Sequence, residues 1–304
     1  MQNPLISVVI PAYNAAHYIS EAIESVLQQT ISDYEIVVVD DGSTDYTREI
    51  IDRYGQSVHY YSQENKGPAA ARNFGIRSAK GKYIAFLDAD DWWLENKLEL
   101  ELNAIQSFPD AAFICSDWFN GIHGNEERRS TLIGYEVWNH EHATFEHMLR
   151  ENFVNTSTIL VTKENIIAAG LFNKNYRGAE DRHLWLRLLL ERNAMVIKDV
   201  LAFRRYHPQN TSNTRAYMES QLEMTQDILC WDKIRKNTRW MKQVKKRMNE
   251  IQISLAYKST SEGRYADASQ YYWSLLRLGY KPLHCFARAC IFFAVSRILG
   301  HTSN

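Results

Sequence analysis

The sequence predicts an α/β protein: a doubly wound, mostly parallel sheet through about residue 215, then a helical region from 216 to 304. Two observations carry this. Apolar, β-branched runs alternate with amphipathic helical stretches over the first 116 residues, which is the pattern of a parallel sheet covered by helices. From roughly Ala216 onward the Gly and Pro punctuation thins and helical periodicity takes over.

The elements follow in order. Ile6-Ser7-Val8-Val9-Ile10 reads as a strand buried on both faces that stops at Pro11. A helix runs to about Thr30, with Ile19, Ala22, Ile23, Val26 and Leu27 on one face. Glu35 to Val39 is the second strand, and it empties into Asp40-Asp41-Gly42-Ser43-Thr44-Asp45, a turn with helix-capping residues. Val58 to Tyr61 is a short third strand. Pro68 suits the first turn of a helix over Ala69 to Ala79. Tyr83 to Leu87 is the fourth strand and runs into Asp88-Ala89-Asp90-Asp91. Leu94, Leu98, Leu102 and Ile105 mark the next helix, and Ala112 to Ser116 a fifth strand. Residues 117 to 152 are less regular. A strand over Asn155 to Val161 and a helix over Thr162 to Ala169 closed by Gly170 come next. Gly178-Ala179-Glu180-Asp181 then opens a helix with Leu184, Trp185, Leu188 and Leu189 inside. Near Gly263 a helix opening resembles a single tetratricopeptide-like hairpin.

Composition narrows the function classes. The 304 residues suffice for a full α/β core with a smaller appendage. A net charge of -1 gives no global basic field, so nucleic acid is not expected as a partner. Cys115, Cys230, Cys285 and Cys290 are scattered without zinc spacing. No secretory signal precedes the first strand, and the apolar run Ala289 to Ser296 is shorter than the about 20 residues a bilayer span needs. A cytoplasmic protein with reduced thiols is expected. Between Lys233 and Arg247 eight basic residues are interleaved with Ile234, Trp240, Met241 and Val244. The stretch 233–248 is either a solvated helix face or a basic surface that meets anionic lipid at the inner face of the membrane or a polyanionic acceptor.

Ligands of open α/β sheets sit beyond the carboxyl ends of the strands. Three polar turns occupy that rim: Pro11 to Asn14, Asp40 to Asp45, and Asp88 to Asp91. Asp88 and Asp90 at a strand end could hold a divalent cation, and oxygen ligands suit Mg²⁺ or Mn²⁺. Such an ion neutralises a diphosphate leaving group. Lys66 and Arg72 could add positive charge. Asp181, on a separate helix start, is a candidate base on the acceptor side, although capping of that helix by Asp181 or Glu180 is the plainer reading. His140, His142 and His147 suggest a metal cluster by composition alone, and a surface segment explains them.

The segments PAYNAAHYISEAIESVLQQT, EIVVVDDGSTDYT, NKGPAAARNFGIRSAKGKYIAFLDADD and GAEDRHLWLRLL, in this order over roughly residues 5 to 210, resemble those of family 2 glycosyltransferases. The resemblance implies a GT-A fold (Rossmann-like, mostly parallel sheet) over 1–215 with a C-terminal α-helical extension over 216–304. It implies an inverting, Mn²⁺- or Mg²⁺-dependent hexosyltransferase. Pro11, Tyr13 and Asp41, with Asp40 and Asn14 beside them, match the pocket for the nucleotide base. Arg72 matches a basic residue near the donor's base and phosphates, with Lys66 as a further donor-side candidate, and Asp88 and Asp90 match the D-x-D. The first of that pair faces the ribose and sugar, and the second binds the metal. Asp181 matches the general base, with Glu180 as acceptor contact or alternative base. His207, in the stretch from Arg204 to Ser212, matches a segment that closes over the diphosphate. A UDP-sugar is the expected donor. A glycan or lipid-linked saccharide is the expected acceptor, in cell-surface polysaccharide or lipopolysaccharide synthesis. Pocket shape around Trp92, Trp93 and 117–152 is expected to set donor choice. The alternative is a non-catalytic nucleotide-sugar or glycan-binding module. The helices beyond 216 lie outside the resemblance and are left to the acceptor, the membrane or a second copy of the chain.

Overall fold

β1 (Ile6–Ala12), β2 (Tyr34–Asp40), β3 (His59–Ser62) and β4 (Tyr83–Phe86) form the parallel half of the sheet, with β1 between β2 and β4 and β3 at the edge. The computed structural model describes residues 3–122, 125–128, 141–206, 214–280 and 282–300. Among these, β5 (Trp92–Trp93), β6 (Ile114–Ile122), β7 (Asn125–Arg128), β8 (His142–Ala143), β9 (Ile159–Thr162) and β10 (Ala194–Arg205) complete one ten-stranded sheet in the order β3-β2-β1-β4-β9-β6-β10-β5, with β7 on β6 and β8 on β10. β9 runs antiparallel to both β4 and β6, so the sheet is parallel at its amino-terminal half and mixed beyond it. β10 is a twelve-residue strand that sequence patterning misses. Its burial alternates only in part, and two register shifts against β6 interrupt it.

The helices are α1 (Ile19–Leu27), α2 (Thr47–Ile51), α3 (Pro68–Ser78), α4 (Lys97–Ser107), α5 (Phe145–Arg150), α6 (Lys163–Ala168) and α7 (Glu180–Leu189). Several differ from the sequence reading for identifiable reasons. Pro11 does not end β1. It lies beyond the last β4 pairing, Val9↔Phe86, so its missing N–H removes no bond from the ladder. Leu27 is exposed, because α1 ends there. α4 begins at Lys97, and it buries Lys97, Leu98, Glu101 and Ile105 while Leu94 remains outside the helix. Residues Thr156–Thr158 form a 3₁₀ turn ahead of β9 instead of extending the strand. His147 closes a capping box with Thr144 at the start of α5, its Nδ1 accepting the Thr144 N–H at 3.2 Å, while His142 lies in β8. His140 lies outside the described residues, and no histidine-based metal cluster occurs among them.

Two close approaches fix the site elements. A Cβ at Gly75 would lie 2.4 Å from Val9 Cγ1, so α3 sits directly on β1. Phe86 of β4, Phe172 and Trp185 of α7 pack ring against ring, with Phe86–Phe172 centroids 5.4 Å apart and Phe172–Trp185 centroids 5.7 Å apart. That cluster seats α7 against β4.

The chain divides into two compact units, Met1–Asn175 with Glu180–Asn210, and Tyr176–Ala179 with Thr211–Asn304. The second is helical: α8 (Arg215–Ile228), α9 (Asp232–Lys236), α10 (Thr238–Ser261), α11 (Tyr265–Arg277) and α12 (Pro282–Gly300). Leu222, Met248, Ile251 and Leu255 form one core cluster in it, and Ala256, Tyr272, Leu275, Cys285 and Ala289 another. Arg215 ties three elements together through Glu219, Glu262 and Asp267. No helix among the described residues is long and apolar enough to cross a membrane.

The fully buried Lys97–Glu101 ion pair of α4, capped by Trp93 with its ring centroid 4.3 Å from Nζ, sits beneath the sheet. Removing one partner strands a charge in the core. Lys97→Met is therefore expected to cost about 3–5 kcal/mol, while Lys97→Met with Glu101→Leu recovers most of that loss. Urea unfolding of the single and double variants measures both. Equal losses in the two would show that packing, not the pair, sets the cost.

Candidate active site

The amino-terminal rim turns are stitched to one another. Asn14 adopts φ 49°, a left-handed conformation that asparagine tolerates. Its N–H donates to Ser43 Oγ at 2.9 Å and its Oδ1 accepts the Thr44 N–H at 2.8 Å. The Ala15 N–H donates to Thr47 Oγ1 and the Ala16 N–H to Asp45. Asp40 is buried and spends its carboxylate on the turn, accepting from Ser43 N–H and Tyr60 O–H. Asp41 accepts from Gln63 Nε2 at 2.6 Å, Lys66 N–H at 2.9 Å and Gly67 N–H at 2.7 Å, so it shapes the loop that leads into α3. The Lys66 ammonium is exposed and lies 3.8 Å from Glu64. Pro11 is partly buried and Tyr13 stands 51% exposed at the mouth of this rim.

β4 delivers the four residues 88–91. Their environments differ although their sequence reads as one acidic run. Asp88 is partly exposed; its N–H donates to Ser157 Oγ at 3.1 Å. Asp90 is partly exposed, and its carbonyl accepts from Arg205 Nε at 3.1 Å. Asp91 is buried and accepts from Ser157 Oγ at 2.7 Å and from the Arg205 N–H at 3.1 Å. Burial, and then Asp90 and Asp88, hold its carboxyl well above the ordinary range. Trp93 is core, its Nε1 donating to the Ser157 carbonyl at 2.7 Å. Trp92 stacks on Phe203 at 3.6 Å between centroids.

Arg72 joins the two halves of the site. Its guanidinium is nearly buried; Nη2 lies 2.7 Å from Asp88 Oδ1 and Nη1 3.2 Å from Glu180 Oε1. It also lies over the Phe172 ring, 5.5 Å from the centroid. Burial works against its charge, and Asp88, Glu180 and Asp181 outweigh burial and hold its proton more tightly than usual. Glu180 is therefore engaged with Arg72 as well as standing at the start of α7. Asp181 follows in the same first turn and accepts the Arg182 N–H at 2.5 Å. Burial, and then the neighbouring Glu180, push its carboxyl up to about 6.

The fold thus brings together Asp88, Arg72, Glu180 and Asp181, with Asp90 on the same turn as Asp88, and groups Asn14, Asp40, Asp41 and Lys66 on linked turns. His207 lies outside the described residues. Sequence reasoning missed Ser157 and placed Arg205 only in a stretch that closes over the diphosphate; both hold the acidic turn. Ser157 carries no local signal, and Arg205 ends a strand that the pattern does not reveal. Among the described residues, no group of three or more His, Cys, Asp and Glu could hold a metal by itself. The two carboxylates of Asp88 and Asp90 nonetheless fit Mg²⁺ or Mn²⁺, hard ions that are commonly held by one or two carboxylates with phosphates and water as further ligands.

The sequence profile of "Glycosyl transferase family 2" matches residues 7–163. An uncharacterized glycosyltransferase of Rickettsia typhi is 32% identical over 218 residues, which is 70% of this chain and 67% of the relative. The UDP-Glc:alpha-D-GlcNAc-diphosphoundecaprenol beta-1,3-glucosyltransferase WfgD of Escherichia coli is 31% identical over 201 residues, 65% of this chain and 74% of the relative. Among solved structures, S. aureus TarS 1-349 in complex with UDP-GlcNAc superposes with a TM-score of 0.70 at 18% identity, covering 98% of this chain and 92% of that one. The mannosyltransferase PcManGT from Pyrobaculum calidifontis, in complex with GDP-Man and Mn²⁺, gives a TM-score of 0.64 at 16% identity, covering 98% of this chain and 87% of that one. The curled α/β sheet with carboxyl-end acids is the GT-A arrangement that the motifs imply, and the chain belongs to glycosyltransferase family 2 as an enzyme.

Proposed function

We propose that the protein transfers one sugar, with inversion, from a nucleotide-sugar donor to a hydroxyl of a glycan or lipid-linked saccharide. The observation that carries this is the Arg72 bridge, which sets the first acid of the D-x-D turn and the Glu180-Asp181 helix start on opposite sides of one guanidinium. UDP is the donor nucleotide we favour: a UDP-GlcNAc complex has this fold, and WfgD is named for UDP-Glc. The turns around Asn14 and Asp41 bind the base. Asp90, with Asp88 beside it, holds the Mg²⁺ or Mn²⁺ that accompanies the diphosphate. When bound, that ion supplies a Lewis acid for the negative charge of the leaving group. Arg72 fixes Asp88 toward the sugar. Asp181 removes the acceptor proton as the hydroxyl oxygen bonds to the anomeric carbon. The bond from that carbon to the diphosphate oxygen breaks, and its electron pair leaves with the nucleoside diphosphate.

UDP release from a panel of UDP-sugars, in Mn²⁺, tests this. Asp90→Ala is expected to abolish turnover and weaken UDP binding, whereas Asp181→Ala should abolish turnover and leave UDP binding intact. Losing a general base usually costs at least about 10²-fold, so an Asp181→Ala enzyme within about threefold of wild type would move the base to Glu180. The raised carboxyl of Asp181 also fixes a pH dependence. Below about 6 it holds a proton and cannot act as base, and above about 6 it is ionised. The ratio kcat/KM should therefore rise through about pH 6 and level off above it. A profile flat across that interval would exclude Asp181 as the titrating group.

We also propose that the acceptor is presented at a membrane surface, since the WfgD name specifies a diphosphoundecaprenol acceptor. Lys233, Arg235, Lys236, Arg239, Lys242, Lys245 and Lys246 are exposed, while Ile234, Val244 and Met248 are buried in the helical unit's own core. Trp240 and Met241 are half-buried, so most of the apolar face is covered and attraction to anionic lipid is led by charge. Co-sedimentation with phosphatidylglycerol vesicles should be strong in low salt, fall as salt rises, and be lost on changing Lys242, Lys245 and Lys246 to Glu. Absence of binding at low ionic strength would leave the stretch a solvated face.

A further inference from the structure

We infer that Asp91, Ser157 and Arg205 are positioning residues that set the shape of the D-x-D turn and so control how well the donor binds with its metal. The inference rests on the reading of Asp90 as the residue that meets the metal and diphosphate. Asp91 completes the acidic run in sequence but points the other way in the structure. It is buried, with one carboxylate oxygen on Ser157 Oγ at 2.7 Å and the other on the Arg205 N–H at 3.1 Å. The same Ser157 oxygen accepts the Asp88 N–H at 3.1 Å. One hydroxyl therefore closes the turn at both ends, donating to its last acid and accepting from the amide of its first. Ser157 is itself fixed. Asn155 Oδ1 accepts its N–H at 3.0 Å, and its carbonyl accepts Trp93 Nε1 at 2.7 Å.

Arg205 holds the other side. Its Nε donates to the Asp90 carbonyl at 3.1 Å, and its guanidinium pairs with Glu21 of α1. It lies over the rings of Trp92 and Tyr18, 4.7 and 5.0 Å from their centroids. α1 begins at Ile19, a short way after the turn at Asn14 that follows β1. Arg205 therefore links the backbone of the proposed metal residue to the element that begins at the base side of the rim. Residues that orient a metal ligand typically change metal affinity by about 10–100-fold when removed.

The test is calorimetric UDP binding with and without Mn²⁺, on wild type, Asp90→Ala, Ser157→Ala, Ser157→Thr and Arg205→Lys. Each variant is first matched for thermal melting. Ser157→Ala and Arg205→Lys are expected to lose about tenfold in UDP affinity in the presence of Mn²⁺ and little in its absence. Ser157→Thr keeps the hydroxyl and should restore wild-type affinity. A folded Ser157→Ala protein with unchanged Mn²⁺-dependent affinity, beside an Asp90→Ala protein that has lost it, would overturn the positioning role alone. If Asp90→Ala leaves the Mn²⁺ dependence intact, the reading of Asp90 fails and this inference falls with it. If Ser157→Thr is as impaired as Ser157→Ala, the hydroxyl bonds are not the cause.

Discussion

Arg72 is a charge kept almost wholly out of water, and the site is arranged by what keeps it there. A buried guanidinium is tolerated when carboxylates face it and an aromatic ring covers it. Asp88, Glu180 and Phe172 meet those needs, and they come from β4, from the start of α7 and from the loop before it. Satisfying one arginine thus brings the end of β4 and the start of α7 together. The Phe86–Phe172–Trp185 cluster beneath makes that convergence rigid, and Gly75 lets α3 bring Arg72 close enough to β1 to reach both.

Convergence of carboxylates has an electrostatic consequence. Asp88, Asp90, Asp91, Glu180 and Asp181 crowd around few cations, so protons are held where burial adds to repulsion. Asp91 and Asp181 are raised for this reason, each first by burial and then by a neighbouring acid. The effect serves different ends. Asp91 lies inside the protein, where a shared hydroxyl and amide bind it. Asp181 opens α7 beside Glu180 and Arg72, in the first turn of the helix.

The sequence made the parallel half of the sheet and most of the site readable. β1, β2 and β4 are buried on both faces and carry uninterrupted apolar runs, and their carboxyl-end turns stand out as clustered acids, Gly and Asn. What stayed hidden obeys no short-range pattern. β10 is broken by register shifts, so neither period dominates. α4 hides a Lys–Glu pair inside, against the rule that charged residues face water, because each satisfies the other. Ser157 looks like any turn serine, and its task is set by a turn far back in the chain. Asp91 reads in sequence as one more acid of the run, whereas its burial makes it part of the turn's foundation.

The distances in sequence show how the enzyme divides its labour. The family profile ends at residue 163, yet Glu180, Asp181 and Arg205 all lie beyond it. Residues 7–163 carry the turns around Asn14 and Asp41, Arg72, the acidic turn and Ser157. Residues 180–205 carry Glu180, Asp181 and the clamp that reaches back to Glu21 and Asp90. Residues from both stretches are needed to fix the acidic turn, Ser157 from the first and Arg205 from the second. The cost is that the acidic turn is complete only once β10 has paired with β6 and brought Arg205 to it. The Arg205–Glu21 contact spans 184 residues, so the site is built by tertiary structure and not by the motif that announces it.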